Sequence, residues 1–395
     1  MRVNELKHST PQQAAALLGV KQDDPALKAL LGLGIPTKKS EAYRYFHIES
    51  LLEADYRTLT YVPKAIEEAE QIVIVDGVVT HAPKGMRIYY ENASMPTHDH
   101  FDPLYYLGHL LTPHTIKIDL DGDADVEIEH HFTQSNAIIA YRIAIANQAN
   151  RHATIFESFH EADIDNTLVL YGYDITVAPH STLRILKNHY MPTERYALIA
   201  SHQLHLQKEA NAIFKSFDFG QGMGLQLIRA TLENRAHIDA GHLLYLNNDA
   251  QRGTISQIIH QGEHATSTQE AKNILDGASR GIFDALIKVE PTAKWTKAHQ
   301  NAKAILLNEK AYMASKPQLE IYIDELEASH GSTTGQLDEK QLFYLRSRGI
   351  SKVEARKILV IAFANTLIEQ VKDHRHQERI QEAFERAFYA GASEE

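Results

Sequence analysis

The spacing of hydrophobic and polar positions changes twice along the chain, and the first part has helical character. The segment QQAAALL follows Thr10 and Pro11, and ALKALLGLG follows Asp24 and Pro25. A Thr or Asp before a Pro is typical of a helix N-cap and its first helical residue. We therefore predict a small N-terminal helical domain over residues 1–65.

The longest part of the chain, residues 66–330, contains short apolar runs that alternate or are nearly continuous. Examples are QIVIVDGVV, TIKIDL, DVEIEHHF and NTLVLYGYDITV, which are bounded by Gly, Asp, Asn or Pro. Runs rich in β-branched and aromatic residues are typical of strands. The chain is therefore predicted to be mainly β.

A loose repeat runs through this β region. A small residue recurs at intervals of 28, 31, 24, 29 and 28 residues, each time after a polar or turn-forming segment. Strand-rich repeats of this length favour a solenoid of stacked rungs, with small side chains at crowded corners. From the spacing alone, a β-sandwich is the alternative. The small residues are Ala153, Ser181, Ala212, Ala236, Ala265 and Ala293.

Helical patterns return over residues 331–395. Asp338 can cap EKQLFYLRSRG, and Ser351 with Glu354 forms a capping-box pattern before a long apolar helix. We therefore predict a C-terminal helical domain over this range.

Composition narrows the possible functions. Apolar residues make up 44% and charged residues 23% of the 395 positions, which is ordinary for a globular protein. The net charge of −11 argues against nucleic acid as a partner, because phosphate binding needs clustered Lys and Arg. The sequence has neither a signal-peptide pattern nor a run of 18 apolar residues, so we expect a cytoplasmic protein with no membrane partner.

The chain has 23 histidines and no cysteine, which excludes disulfides and Cys–zinc sites. His98 and His100 resemble part of a cupin metal site, but Leu104 stands where a cupin needs Glu, and the next histidine is His109. Other close histidine pairs, such as His130 with the residue after it, have no supporting pattern. A cupin-type metal enzyme and a β-solenoid carbohydrate-active enzyme are alternatives, although the acidic balance counts against the second.

A motif near the C-terminus is more specific. His330 and Gly331 are followed by a small residue and Thr333, and then by GQLDEKQLFYLRSRGI over residues 335–350. This segment resembles the SufB/SufD family, which contains scaffold subunits of the SUF iron–sulfur cluster assembly system. Residues 267–300 are similar to a pattern shared by the same family, and we assign these residues a structural role at a rung corner. The matching positions are Gln269, Lys272, Gly277, Arg280, Gly281 and Phe283, with Ala285 replacing a common glycine.

The resemblance implies a right-handed parallel β-helix core flanked by small N-terminal and C-terminal α-helical domains. It also implies a non-catalytic scaffold, not an enzyme, that pairs with a SufB-like paralogue and with the SufC ABC-type ATPase. A homodimer is an additional possibility for the isolated chain. Clusters are ordinarily held by Cys thiolates, so we expect no cofactor bound stably by this chain alone and a transient iron–sulfur cluster in the complex.

His330 is the candidate site residue, because imidazole suits iron and the matching histidine of the family is implicated in cluster assembly at the subunit interface. We expect it to act as a ligand or proton carrier beside a cysteine of the partner. Many relatives have Cys two residues earlier, where this chain has Ala328. A lone histidine in a turn is, on sequence grounds alone, more often structural or solvated.

A second candidate surface combines aromatic residues with arginine, a composition that is enriched in interface hot spots. The family binds SufC through its C-terminal helical domain, so the resemblance implies that this surface is the SufC docking region. An amphipathic helix that packs on its own domain is the alternative. The residues are Phe343, Tyr344, Leu345, Arg346 and Arg348.

Overall fold

The computed structural model describes residues 2–59, 61–92, 101–120 and 122–392. Two sheets of mostly parallel strands coil into a β-solenoid of about 8 turns, with small helical parts at both ends. The prediction of a mainly β chain with a parallel β-helix core between helical segments is confirmed. The alternative of a β-sandwich is wrong, because successive strands of each sheet pair in parallel and belong to consecutive rungs.

Within the described ranges, ten strands form one sheet and eleven form the other. The first sheet contains, in chain order, β1 (Arg57–Thr58), β5 (Arg87–Asn92), β6 (His114–Leu120), β8 (Ala137–Asn147), β10 (Thr167–Val177), β12 (Tyr196–Leu206), β14 (Met223–Leu232), β16 (Gln251–His260), β18 (Arg280–Val289) and β20 (Tyr312–Ile321). The second contains β2 (Glu67–Glu68), β3 (Ile72–Val75), β4 (Val78–Ala82), β7 (Ala124–Phe132), β9 (His152–Glu161), β11 (Thr182–Met191), β13 (Asn211–Gly220), β15 (His237–Leu246), β17 (Thr266–Leu275), β19 (Thr296–Leu306) and β21 (Leu326–Gly335).

Helices cover the outer faces of both sheets. The helical elements are a 3-10 turn (Val3–His8), α1 (Pro11–Leu18), α2 (Pro25–Leu33), a second 3-10 turn (Glu41–Tyr43), α3 (Ile48–Glu53), α4 (Pro103–Leu111), α5 (Glu339–Ser347), α6 (Lys352–Ile368) and α7 (His374–Ala392). The N-terminal helices and α4 pack on the first sheet in one apolar cluster. Helices α6 and α7 pack on the second sheet in another, where Tyr245 meets Phe384 with ring centroids 5.9 Å apart.

The corners between rungs explain the repeat. A non-glycine residue with φ between 56° and 61° recurs before successive strands of the second sheet. Its N–H donates to a carbonyl of the equivalent corner one rung further on, as in Glu209 N–H to Asn234 O at 2.9 Å and Arg235 N–H to Glu263 O at 2.8 Å. The small residues Ser181, Ala236 and Ala265 directly follow such corners and are buried. The left-handed residues are Asn150, His180, Glu209, Arg235, His264 and Trp295.

Two predicted details differ from the structure. The expected β region contains a helix, α4, whose buried face lies against the strands of the first sheet. The last strand continues through Gly335, beyond the predicted limit of the core at residue 330. No further rung of the described residues covers this strand, so its Gly-Ser-Thr-Thr-Gly segment has no alternation of apolar and polar residues. For this reason the sequence indicated a turn there.

The solenoid interior contains buried ionisable groups as well as apolar side chains. Asp218 accepts hydrogen bonds from Lys187 Nζ and His189 Nδ1, both at 2.9 Å. Burial lowers the pKa of His189 to about 3, that of His242 to about 3 and that of His260 to about 4. These imidazoles are therefore neutral in the folded chain at neutral pH.

We predict that acid weakens the fold between about pH 6.5 and about pH 5, where the imidazoles of the unfolded chain gain protons. In the unfolded chain an imidazole has a pKa near 6.5. Below that value the unfolded chain binds more protons than the folded chain, so the free energy of unfolding falls as the pH falls. Burial raises the pKa of Asp102 to about 6, and this shift acts in the opposite direction. It is a single group, whereas three buried imidazoles have lowered pKa values. Urea denaturation should show a lower free energy of unfolding at about pH 5 than at about pH 7.5.

The variant His242→Gln isolates this effect. Because its side chain does not titrate, the loss of unfolding free energy between about pH 7.5 and about pH 5 should shrink by about 2 kcal/mol. The control is His205→Gln, which alters a half-buried histidine near the surface that pairs with Glu233. An equal pH dependence in wild type and His242→Gln would contradict the prediction.

Candidate functional site

The solenoid ends in an open rung. In the described part of the chain, β20 is the last strand of its sheet and pairs with β18 alone, and β21 pairs with β19 alone. Each of these strands therefore presents one unpaired backbone edge. Unpaired strand edges are templates for pairing with another chain unless they are covered or blunted. Pro317 in β20 partly blunts this end, because proline has no N–H to donate.

His330 lies in the middle of β21, opposite Gln300 of β19. Gln300 is buried and faces the solenoid interior, as do Ala298 and Ala302 on either side of it. Because parallel partners face the same way, His330 occupies an inward-facing register position. It is nevertheless exposed, since no further rung formed by the described residues lies over it. The sequence placed His330 between a strand-like run and a Gly-Ser-Thr-Thr-Gly turn, whereas the structure includes His330 and this segment in one strand.

The surroundings of His330 are polar and small. Ser332, the next inward-facing residue, donates from Oγ to Ser315 Oγ at 2.8 Å across the open end. On the opposite face of the strand, Ser329 Oγ lies 2.8 Å from His299 Nδ1. No hydrogen bond to the His330 ring occurs within the described residues, so both ring nitrogens are available to a ligand.

A column of buried amides leads inward from His330. Gln300 donates from Nε2 to Ala285 O at 2.8 Å, and Gln269 one rung below accepts from Ser256 Oγ at 2.7 Å. Gln300 Oε1 and Gln269 Nε2 have no partner in the described structure. Buried polar groups are rarely left unpaired. The buried amides therefore make this end of the solenoid interior unusually polar.

The arrangement can present one imidazole but cannot complete a metal site by itself. Among the described residues, the group of His, Asp and Glu side chains close enough to hold a metal does not include His330. With no cysteine in the sequence, further ligands beside His330 would have to come from another molecule. This is compatible with the expected role at a subunit interface, which stays a prediction.

Leu342 is the buried residue of the predicted docking helix α5. Phe343 is 73% exposed and Tyr344 is 57% exposed, with the Arg348 guanidinium 5.2 Å from the Tyr344 ring centroid. Leu345 is half-buried and Arg346 is exposed. Self-packing therefore accounts for little of the predicted surface, and large apolar groups are left in contact with solvent.

The motif at residues 267–300 is structural. Phe283 is buried in the interior and Arg280 begins β18, with its guanidinium 6.0 Å from the Tyr312 ring centroid. Gly277 has φ +61, and a Cβ at that position would lie 2.7 Å from Asn248 O. Only glycine fits this corner, because a side chain would meet both the left-handed backbone and the neighbouring rung.

The described residues give no support to the cupin alternative. His98 and His100 lie outside the described residues. His109 is buried on α4 with its Nε2 3.3 Å from Asp174 Oδ2, and its ring packs against Tyr105 with centroids 4.7 Å apart. Burial lowers the pKa of His109, so it serves as a neutral core residue.

One cluster was missed by sequence reasoning. Glu129, His131 and His160 bring one potential ligand atom each to within 4.8 Å of one another. In the sequence, His131 stands out only as the neighbour of His130, and no motif supports that pair. The missing signal was the rung length, because His160 is the register partner of His131 one rung further on.

Comparison with known proteins identifies the family to which this chain belongs. None of the helices in the described ranges is long and apolar enough to cross a membrane. Residues 130–363 match the family model described as SUF system FeS cluster assembly, SufBD core domain. The chain is 26% identical over 381 residues to the iron–sulfur cluster assembly protein SufD of Escherichia coli, covering 90% of this chain and 89% of that protein.

Other relatives match over shorter stretches. An iron–sulfur cluster assembly SufBD family protein of Synechocystis is 36% identical over 118 residues, which is 30% of this chain and 26% of that protein. The iron–sulfur cluster assembly protein SufD of Bacillus subtilis is 31% identical over 116 residues, which is 29% of this chain and 26% of that protein. Since the family model spans more than half of the sequence, the chain belongs to the family of SUF-system iron–sulfur cluster assembly proteins with a SufBD core domain.

Proposed function

We propose that this chain is a non-catalytic scaffold subunit of iron–sulfur cluster assembly. It pairs with a SufB-like paralogue through the open rung, and the SufC ATPase docks on α5 and the start of α6. The observation that carries the proposal is His330, an exposed imidazole at an inward-facing position of an uncovered strand. A second solenoid placed end to end would cover this edge and bring its own side chains against the ring.

The ligand chemistry supports a shared site. The cluster is the cargo of the complex, and its usual protein ligands are thiolates, which this chain lacks. His330 would supply an imidazole or accept a proton while the paralogue supplies sulfur. No cluster would then be held stably by the isolated chain. In the absence of the paralogue, two copies of this chain could cover each other's open rungs as a homodimer.

The docking surface is supported by exposed apolar area. Val353 is 64% exposed and Ile358 is 38% exposed on α6, close in sequence to the exposed aromatic pair of α5. Deleting the C-terminal helices would not test this surface cleanly. Leu367 and Phe384 pack on the second sheet, so their removal would uncover the solenoid itself.

Replacement of His330 should reduce cluster assembly by the complex. In a complex reconstituted from this chain, the SufB-like paralogue and SufC, His330→Ala should lower the cluster yield about tenfold or more, by analogy with the loss of a group that supports a metal site. Iron and acid-labile sulfide per complex measure the yield. The matched control is His299→Ala, an exposed histidine on the outer face of β19. Equal yields from wild type and His330→Ala would remove the proposed role.

The second prediction concerns the open rung. Thr334 shares the inward-facing register of His330, whereas Thr333 lies on the opposite face of β21. Thr334→Lys would place a charge inside the proposed interface, at a cost of about 3 kcal/mol or roughly a hundredfold in Kd. Size-exclusion chromatography with the paralogue should show lost pairing for Thr334→Lys and retained pairing for Thr333→Lys. Retained pairing in both variants would exclude this edge as the interface.

The third prediction concerns α5. Phe343→Ala should weaken SufC binding by about 2 kcal/mol, roughly 30-fold, as is typical of an aromatic hot spot. Calorimetry with purified SufC measures the affinity. The control is Tyr389→Ala, an aromatic residue on α7 that is 47% exposed. The proposal fails if Phe343→Ala binds as wild type does, or if both variants lose the same affinity.

A further inference from the structure

A stripe of charged side chains follows the outer face of β7. Alternate residues of a strand share one face, so Asp125, Glu127, Glu129 and His131 lie in one row. The residues between them point into the solenoid core, where Val126 and Ile128 are buried.

The last helix neutralises the first half of this stripe. Arg375 Nη2 lies 3.4 Å from Asp125 Oδ2, and Arg379 Nη1 lies 2.7 Å from Glu127 Oε2. These two arginines are one helical turn apart on α7, which matches the spacing of alternate strand residues. Glu129 is the next carboxylate of the row, and its ion-pair partner is His131 instead, with 3.2 Å between Oε2 and Nε2.

His160 completes a cluster with these two residues. It is the register partner of His131 on β9, and the two imidazole rings stack with centroids 4.8 Å apart and an interplanar angle of 24°. Ser158 Oγ lies 3.3 Å from His160 Nε2 and can hold the ring in place.

Two imidazoles and one carboxylate are a ligand set for borderline divalent metals. His₂Glu holds zinc with one position left open, and two histidines with a carboxylate also hold iron(II). A tetrahedral ion with bonds of about 2.1 Å keeps its ligand atoms roughly 3.4 Å apart. The 3.2 Å between Glu129 Oε2 and His131 Nε2 already fits that geometry. The exposed side chain of His160 can rotate toward these two atoms.

We propose that Glu129, His131 and His160 bind a divalent first-row transition-metal ion on the outer face of the solenoid. The side chains of Glu129 and His131 are 21% and 36% exposed, so water can complete the coordination. The site lies on β7 and β9, far along the sheet from β21 at the open rung. It is therefore independent of the proposed role of His330.

The test is Zn²⁺ binding to untagged, chelator-stripped protein, measured by competition with a chromophoric chelator. We expect one ion per chain in wild type, with affinity reduced tenfold or more in His131→Ala and in His160→Ala. Co²⁺ should give visible absorption bands that disappear in the double variant, and Mg²⁺ should not compete. Glu129→Gln, which keeps an oxygen but loses the charge, should weaken binding less than the double variant does.

The control is His205→Ala. His205 Nε2 lies 2.9 Å from Glu233 Oε1, so this variant removes a similar His–Glu pair that, among the described residues, belongs to no cluster of three potential metal ligands. Its Zn²⁺ affinity should equal that of wild type. Stoichiometric binding that survives in the double variant would place the ion elsewhere and overturn the proposal. The absence of stoichiometric binding by wild type would overturn it as well.

Discussion

Stacking of equivalent backbone segments in parallel register is the interaction on which the rest of this structure depends. Each inner strand of the stack donates to and accepts from the rung before and the rung after, and the corners connect successive rungs through residues held at positive φ. A left-handed non-glycine residue is unfavourable by itself. Here the left-handed conformation points the N–H of the residue at a carbonyl of the neighbouring rung. The resulting hydrogen bond stabilises a conformation that an isolated turn would avoid.

The same stacking fixes where side chains meet. One rung places chemically similar residues over one another, as in the inward-facing column from Gln269 through Gln300 to His330. It also brings His131 beside His160 on the outside. Inside the core the result is a set of buried polar groups that pair among themselves, such as Glu157 with Tyr171 and Tyr173. The two proposed sites therefore lie where the stack stops and on its outer face.

Local features could be predicted from the sequence, and features that depend on rung pairing could not. The helix caps at Thr10, Asp24 and Asp338 were found because a cap is decided within four residues. The repeat correctly favoured a solenoid. It placed some of the rung corners wrongly, because Ala153 and Ala212 lie on strands. The strand that holds His330 was missed, because an edge strand with no covering rung carries no hydrophobic alternation. The Glu129 cluster needed the register, which a single sequence does not supply.

Helix α7 changes how the stack behaves as a whole. In a solenoid each rung normally contacts only its neighbours, so local opening can spread one rung at a time. This helix crosses the rungs instead, with its arginines on Asp125 and Glu127 of β7, His376 stacked on Phe156 of β9, and Phe384 against Phe219 of β13 and Tyr245 of β15. Helix α7 therefore contacts several repeats at once. Opening any one of these rungs would break its contacts with α7, so the helix couples the rungs into one cooperative unit.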